Sequence, residues 1–295
     1  MIEKLKGTGV ALITPFLESG AIDFDSLEKL VDNAINCGVD YLVTLCTTSE
    51  TPTLSDAEKE LVVKKVREVN NHRVPIVRGL GGYNTAELVH QLHTLDFTDI
   101  DALLSVAPYY NKPSQNGLFL HYKTLADNSP IPIILYNVQG RTGCNIEANT
   151  TLKLAQNCPN IIAIKEASGN MNQIMKVIAH KPDNFSVISG DDAITLPLIA
   201  AGADGLISVV ANAFPKQVSS MVRLARNNQF PEARKIHLQL LDYTQTCFKE
   251  GNPAGIKMLL ALQGKIQHFL RLPLAPASEN LEHDFNDLLK NNIIK

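Results

Sequence analysis

The chain has 295 residues, 45% of them hydrophobic and 19% charged, and a net charge of −3. That length suits one α/β barrel of about 250 residues plus an extension, with ample apolar content for its core. Acids and bases are interspersed with no lysine/arginine cluster, which argues against nucleic acid, and no run approaches the roughly 20 apolar residues that cross a membrane.

The N-terminal segment, Met1 to Lys6, lacks the apolar centre of a secretory signal. A strand is expected over Val10–Phe16. The helix Asp25–Asn36 follows, with Leu27, Leu30, Val31 and Ala34 on one face and Gly38 as its stop. After a strand at Tyr41–Leu45, Ser55-Asp56-Ala57-Glu58 opens a helix as a capping box. Further strands are expected at Pro75–Leu80, Ala102–Ala107, Ile133–Asn137, Ile161–Ala167, Phe185–Ser189 and Ala203–Val210, with Asn84, Ser114 and Asn149 opening helices between them. These strands are rich in Val, Ile and Leu without alternation, as parallel strands buried on both faces should be. Four helices close the chain: Pro215–Arg226, Pro231–Lys249, Pro253–Gln263 and Glu279–Lys290.

Eight strand–helix alternations with right-handed crossovers predict a (β/α)8 TIM barrel, residues 1–225, with a C-terminal helical extension, residues 226–295, packed on it. A doubly wound open sheet is the rival, but it usually needs a G-x-G-x-x-G turn, and none is present.

Barrel active sites lie at the C-terminal strand ends. The sixth strand ends in Ile164-Lys165-Glu166-Ala167, a lysine closing an apolar run. Such a place withholds the water an ammonium prefers and favours a neutral, nucleophilic amine able to form a Schiff base. Alternatively, a strand-end lysine pairs with its neighbour Glu166 or reaches solvent. The other strand ends carry Thr47-Thr48, Tyr109-Tyr110, Tyr136-Asn137 with Arg141 beyond, and Ser189-Gly190-Asp191-Asp192. Lys165 would attack a 2-keto acid, and the imine would act as an electron sink for an enamine. Tyr136 would move protons with Thr47 as relay. Thr48, through hydroxyl and backbone N–H, would hold the keto acid's carboxylate, and Arg141 a second carboxylate. If Lys165 points into the barrel, so should Ala163 and Ile161, leaving a small residue beneath the amine.

No basic nest follows the last two strands, which argues against a phosphorylated sugar. No metal-spaced His/Asp/Glu set sits at the mouth, so no metal and no cofactor is expected beyond the covalent imine on Lys165. His90 and His93, at i, i+3, read as a solvated helix face. Five widely spaced cysteines without C-x-x-C suggest a reducing, cytoplasmic setting.

Thr47-Thr48-Ser49-Glu50, Ala107-Pro108-Tyr109-Tyr110-Asn111-Lys112-Pro113-Ser114, Tyr136-Asn137-Val138, Arg141-Thr142-Gly143, Ile164-Lys165-Glu166-Ala167 and Ser189-Gly190-Asp191-Asp192 together closely resemble the dihydrodipicolinate synthase family, over essentially the whole chain. The resemblance implies condensation of pyruvate with L-aspartate-4-semialdehyde on the way to diaminopimelate and lysine. By the same resemblance Lys165 is the Schiff-base lysine, Tyr136 and Thr47 the proton relay, and Thr48 the carboxylate holder. Tyr110 would enter a partner's site across a tight dimer, with a tetramer as a dimer of dimers. Arg141 would bind the semialdehyde's carboxylate, and Ile207 would offer a backbone carbonyl. Two alternatives stay open: a sugar-acid aldolase of the N-acetylneuraminate lyase or 2-keto-3-deoxy type, and a silent barrel that binds a keto acid. Arg141-Thr142-Gly143 and Lys165-Glu166-Ala167 together favour the synthase.

The pattern departs from the family at Cys46 and Ser49, and at Gln139-Gly140. Glu87 and Tyr109 match the family's lysine feedback site, but Asp56, Lys59 and Tyr83 differ. A cation at Lys59 would repel a cationic ligand, so weak or absent lysine inhibition is expected.

Overall fold

The computed structural model describes residues 2–291; Met1, at the head of the N-terminal segment, lies outside them. Eight parallel strands, β1 (Gly7–Ala11), β2 (Tyr41–Thr44), β3 (Ile76–Gly79), β4 (Ala102–Val106), β5 (Ile133–Asn137), β6 (Ile161–Glu166), β7 (Ser186–Ser189) and β8 (Gly205–Ser208), pair in chain order, and β8 returns to β1. The linking helices are α1 (Phe24–Asn36), α2 (Asp56–Asn70), α3 (Thr85–Thr94), α4 (Gln115–Asn128), the short α5 (Gln139–Thr142), α6 (Ala148–Asn157), α7 (Met171–His180), α8 (Thr195–Ala200) and α9 (Pro215–Arg226). Beyond the barrel come α10 (Phe230–Lys249), α11 (Ala254–Leu262) and α12 (Glu279–Asn291). The fold is therefore the (β/α)8 barrel with a C-terminal helical extension that the alternation predicts.

Inward residues of the strands, among them Val43, Val77, Leu104, Ile134, Ile188 and Ile207, form one apolar cluster, and Leu5 from the N-terminal turn joins it. Outward residues such as Leu42, Leu103, Ile164 and Leu206 pack under the helices. This two-sided burial is why the strands lack alternation. Local chemistry fixes the helix starts. Ser55 and Glu58 cap reciprocally, Asn84 accepts from the N–H groups of Ala86 and Glu87, and Ser114 accepts from that of Gly117.

Three local expectations need correction. Seven strands fall inside their expected spans, but β1 runs Gly7–Ala11 rather than Val10–Phe16. Its glycines hide it from an apolar search: a Cβ at Gly9 would lie 2.2 Å from the ring of Tyr41 on the neighbouring strand, and Gly7 sits at φ +101° with Asp40 Oδ2 2.2 Å from where its Cβ would be. The helix expected to open at Asn149 has Glu147 as its cap. A tertiary contact sets that start, since Gln115 Oε1 accepts from both Glu147 N–H (3.2 Å) and the Thr150 hydroxyl (2.6 Å). Finally, Ile161 faces outward. The β5–β6 register slips, Ile133 pairing Ile161 and Ile134 pairing Ala163, so Ile162 is an extra residue that breaks the alternation. Ala163 does point inward, below Lys165.

Candidate active site

Lys165, the last but one residue of β6, has 4% of its surface exposed, and Tyr136 is its register partner on β5. The amine lies 4.2 Å from the centroid of the Tyr136 ring. Glu166, on the opposite face of β6, does not pair with it. That carboxylate accepts from Asn137 Nδ2 (3.1 Å), Gln173 Nε2 (3.0 Å) and the Ser168 hydroxyl (2.7 Å), and burial pushes its pKa up in spite of them. Among the described ion pairs none involves Lys165. The room around the amine comes partly from Gly190 after β7, where a Cβ would meet Lys165 Cε at 2.9 Å.

After β2 the chain turns sharply, with Leu45 and Glu50 both at φ +54° flanking the 3-10 turn Thr47–Ser49. Ser49, one of the departures from the family pattern, locks this turn. Its hydroxyl donates to Leu12 O (2.7 Å) and accepts from Cys46 N–H (3.2 Å), while its carbonyl accepts from the Thr14 hydroxyl (2.8 Å). Thr48 is buried, and its hydroxyl accepts from Asn252 Nδ2 at 3.0 Å. Glu50 is fully buried and ion-paired with the equally buried Lys257 of α11. Desolvation draws the Lys257 pKa down to about 8 although the Glu50 carboxylate opposes it.

A cavity of about 580 Å³ opens at this end of the barrel, and Thr47, Thr48, Tyr136, Arg141 and Lys165 all line it. A neighbouring cavity of about 370 Å³ shares Thr47, Tyr136 and Arg141 and adds Tyr109. Arg141, exposed on α5, donates to the backbone carbonyl of Asn252 at 3.2 Å. Gln139 and Gly140 form the start of that short helix. Tyr136 and Thr47 share the wall without a hydrogen bond between them in this chain. Two expected residues stand apart. Tyr110 is 88% exposed at φ +70°, outside the cavity and 6.4 Å from the Tyr83 ring centroid to centroid. Ile207 is buried within the barrel, and from the end of β8 it is Val209 that reaches the cavity wall.

The extension supplies the rest of the wall: Thr244, Gln245, Phe248 and Lys249 of α10, and Asn252 just before α11. Sequence reasoning missed these five. Nothing in the pattern of α10 marks them, but Lys257 carried a readable signal. It sits in Ile256-Lys257-Met258-Leu259, an apolar setting like that of Lys165. On the β7–β8 side, Asp191 lines the cavity. Asp192 beneath it accepts from the Ser208 hydroxyl and from Val209 N–H (2.9 Å), and burial raises its pKa to about 6. Lys59 is 2.8 Å from Asp56, so its charge is compensated in place. The repulsion of a cationic ligand is therefore weaker than the sequence alone suggests. His90 and His93 are exposed on α3.

The sequence matches the dihydrodipicolinate synthetase family over residues 4–292. The chain belongs to that family. It is 50% identical over 291 residues to the 4-hydroxy-tetrahydrodipicolinate synthase of Parabacteroides distasonis, covering 99% of this chain and 98% of that one. A solved structure of the chloride-inhibited dihydrodipicolinate synthase of Acinetobacter baumannii, complexed with pyruvate, superposes with a TM-score of 0.95 at 38% identity, over 99% of this chain and 100% of that one. A monomeric dihydrodipicolinate synthase variant is equally similar in fold, with a TM-score of 0.95 at 35% identity over 98% and 97% of the two chains.

Proposed function

We propose that this enzyme condenses pyruvate with L-aspartate-4-semialdehyde to 4-hydroxy-tetrahydrodipicolinate in diaminopimelate and lysine biosynthesis. The observation that carries the reading is the Lys165 amine, lining the cavity without a carboxylate partner among the described residues and against the Tyr136 ring. Family membership and full-length relatives of the same named activity support it.

The amine adds to the keto carbon, water leaves, and an imine links Lys165 to pyruvate. Loss of a methyl proton gives the enamine, whose carbon attacks the aldehyde. The semialdehyde's own amine then adds to the imine carbon and expels Lys165 as the ring closes. Tyr136 and Thr47 move the protons, with the phenol of Tyr110 contributed from a second copy across a tight dimer, two such dimers making the tetramer. The exposure of Tyr110 outside its own cavity supports that arrangement. Thr48 holds pyruvate's carboxylate, Arg141 the semialdehyde's, and the Ile207 backbone carbonyl, beneath the cavity wall, is the contact the family resemblance assigns to the keto acid. The imine replaces any cofactor. The five free cysteines support a cytoplasmic setting, and among the described residues no helix is long and apolar enough to cross a membrane.

Borohydride reduction in the presence of pyruvate, followed by mass spectrometry, is expected to leave a stable adduct on Lys165. Lys165→Ala should lose adduct and turnover while keeping its circular dichroism. An unmodified Lys165 would instead leave a silent keto-acid binder. Turnover of N-acetylneuraminate or 2-keto-3-deoxygluconate in preference to the semialdehyde would make the enzyme a sugar-acid aldolase.

A further inference from the structure

We propose that Asn252 and Lys257, just before and in the first turns of α11, are positioning residues that hold the Thr47–Glu50 turn in the shape that presents Thr48 to the carboxylate of the keto acid. The inference rests on the proposed function, because it takes Thr48 as the carboxylate holder.

The turn needs holding. Two non-glycine residues, Leu45 and Glu50, bracket it in the left-handed region, a conformation that side chains with a Cβ adopt at a cost unless surrounding contacts impose it. On its Glu50 side those contacts come from the extension. The buried Lys257 amine is ion-paired with Glu50, donates to Phe269 O at 3.1 Å and lies 4.2 Å from the Phe16 ring centroid. The second Glu50 oxygen accepts from the backbone N–H of Arg271 at 3.2 Å. A charge pair this deeply buried gives little net stability over apolar residues of the same size, so its value lies in fixing geometry.

Asn252 acts at the other flank. Its side-chain amide donates to the Thr48 hydroxyl at 3.0 Å, and that hydroxyl donates to no described group. An oxygen already accepting keeps its own proton to give, and the open direction is the cavity that Thr48 lines. The backbone carbonyl of Asn252 also receives Arg141 at 3.2 Å. The start of α11 therefore touches both residues assigned to carboxylates.

The test is pyruvate dependence of borohydride labelling at Lys165, together with steady-state kinetics, in a double variant, Glu50→Gln with Lys257→Met. It removes both charges at similar volume and leaves intact the side chains that line the cavity around Lys165. Positioning predicts that the pyruvate concentration for half-labelling and the KM for pyruvate rise about tenfold, the effect of losing one well-oriented hydrogen bond to a charged group. The labelling plateau and kcat should stay within about twofold, since the Lys165 amine is untouched. A purely structural role would lower plateau and kcat through unfolded protein and leave half-labelling unchanged. A folded double variant with wild-type half-labelling overturns the inference. Should that protein not fold, Asn252→Ala, which leaves the ion pair intact, carries the test: the same rise is expected, and its absence is equally decisive. Failure of the wild-type enzyme to be labelled at saturating pyruvate would remove the functional reading and this inference with it, whereas labelling with unchanged variants removes the inference alone.

Discussion

Two buried lysines differ in what faces them. Lys165 and Lys257 both follow apolar neighbours, and both are withheld from water. What separates them is the partner: Lys257 is ion-paired with Glu50, whereas Lys165 has a phenol ring beside it and open cavity ahead. A paired ammonium is a structural cation, and an unpaired amine at a cavity is a candidate nucleophile. The space around Lys165 can itself be tested. A methyl at Gly190 would press on Lys165 Cε and on Ala167 Cβ, each 2.9 Å away. The lysine stem can shift, so Gly190→Ala is expected to fold but displace the amine, slowing borohydride labelling and kcat by about tenfold or more, as misplacement of reacting groups does. Labelling at the wild-type rate would show that the stem does not need that space.

At the scale of elements, the α3–α4 contact contains a group that makes stability depend on pH. His121 of α4 is buried, shares a hydrogen bond of 2.8 Å between Nδ1 and the Thr85 hydroxyl, and has no partner for Nε2. Burial lowers its pKa from 6.5 to about 4, because desolvation disfavours the charged ring. The unfolded chain therefore binds this proton at a higher pH than the folded one. The stability from keeping the ring neutral is present above about pH 6.5 and is lost as pH falls towards about 4. At roughly 1.4 kcal/mol per pH unit, the contribution is on the order of 3 kcal/mol. His121→Gln should flatten the acid side of the melting curve: between pH 7 and 5 its Tm is expected to fall less than that of the wild-type protein. Parallel losses in the two proteins would mean the ring is protonated without penalty. Asp192 acts in the opposite direction across the same interval, since its raised pKa makes it cheaper to bury at low pH. The single-site difference, rather than the absolute curve, isolates the histidine.

For the whole molecule, the extension and the barrel form one site. α10 and Asn252 complete the cavity wall, and α11 grips the loop after β2. The phenol of Tyr110 lies outside its own chain's cavity, on a backbone at φ +70° that no contact to that cavity explains. If a second copy receives it, Tyr110→Phe should lower kcat by about two orders of magnitude, the low end of what a lost proton-transfer group costs, and dilution should lower the specific activity of wild-type enzyme. Full activity of purified Tyr110→Phe would assign the exposed ring to some other surface. Isolated monomers with undiminished turnover would do the same.

The local code was legible in the sequence because it depends on near neighbours. Capping residues at Ser55, Asn84 and Ser114, the apolar face of α1, and seven of the eight strands follow from periodicity and hydrogen-bonding chemistry within a few residues. Lys165, the candidate nucleophile, stood out for the same reason, as a polar residue near the end of an apolar strand. Tertiary structure alone decided the rest. Gly9 of β1 answers to the Tyr41 ring on the neighbouring strand and Gly7 to Asp40, and the extra residue Ile162 turns Ile161 outward through a slip against β5. The pairing of Glu50 with Lys257 and of Thr48 with Asn252 joins residues some two hundred positions apart. Periodicity reports which face of an element is apolar. It carries no information about which distant side chain fills the space opposite, and that space is where the Thr47–Glu50 turn is held.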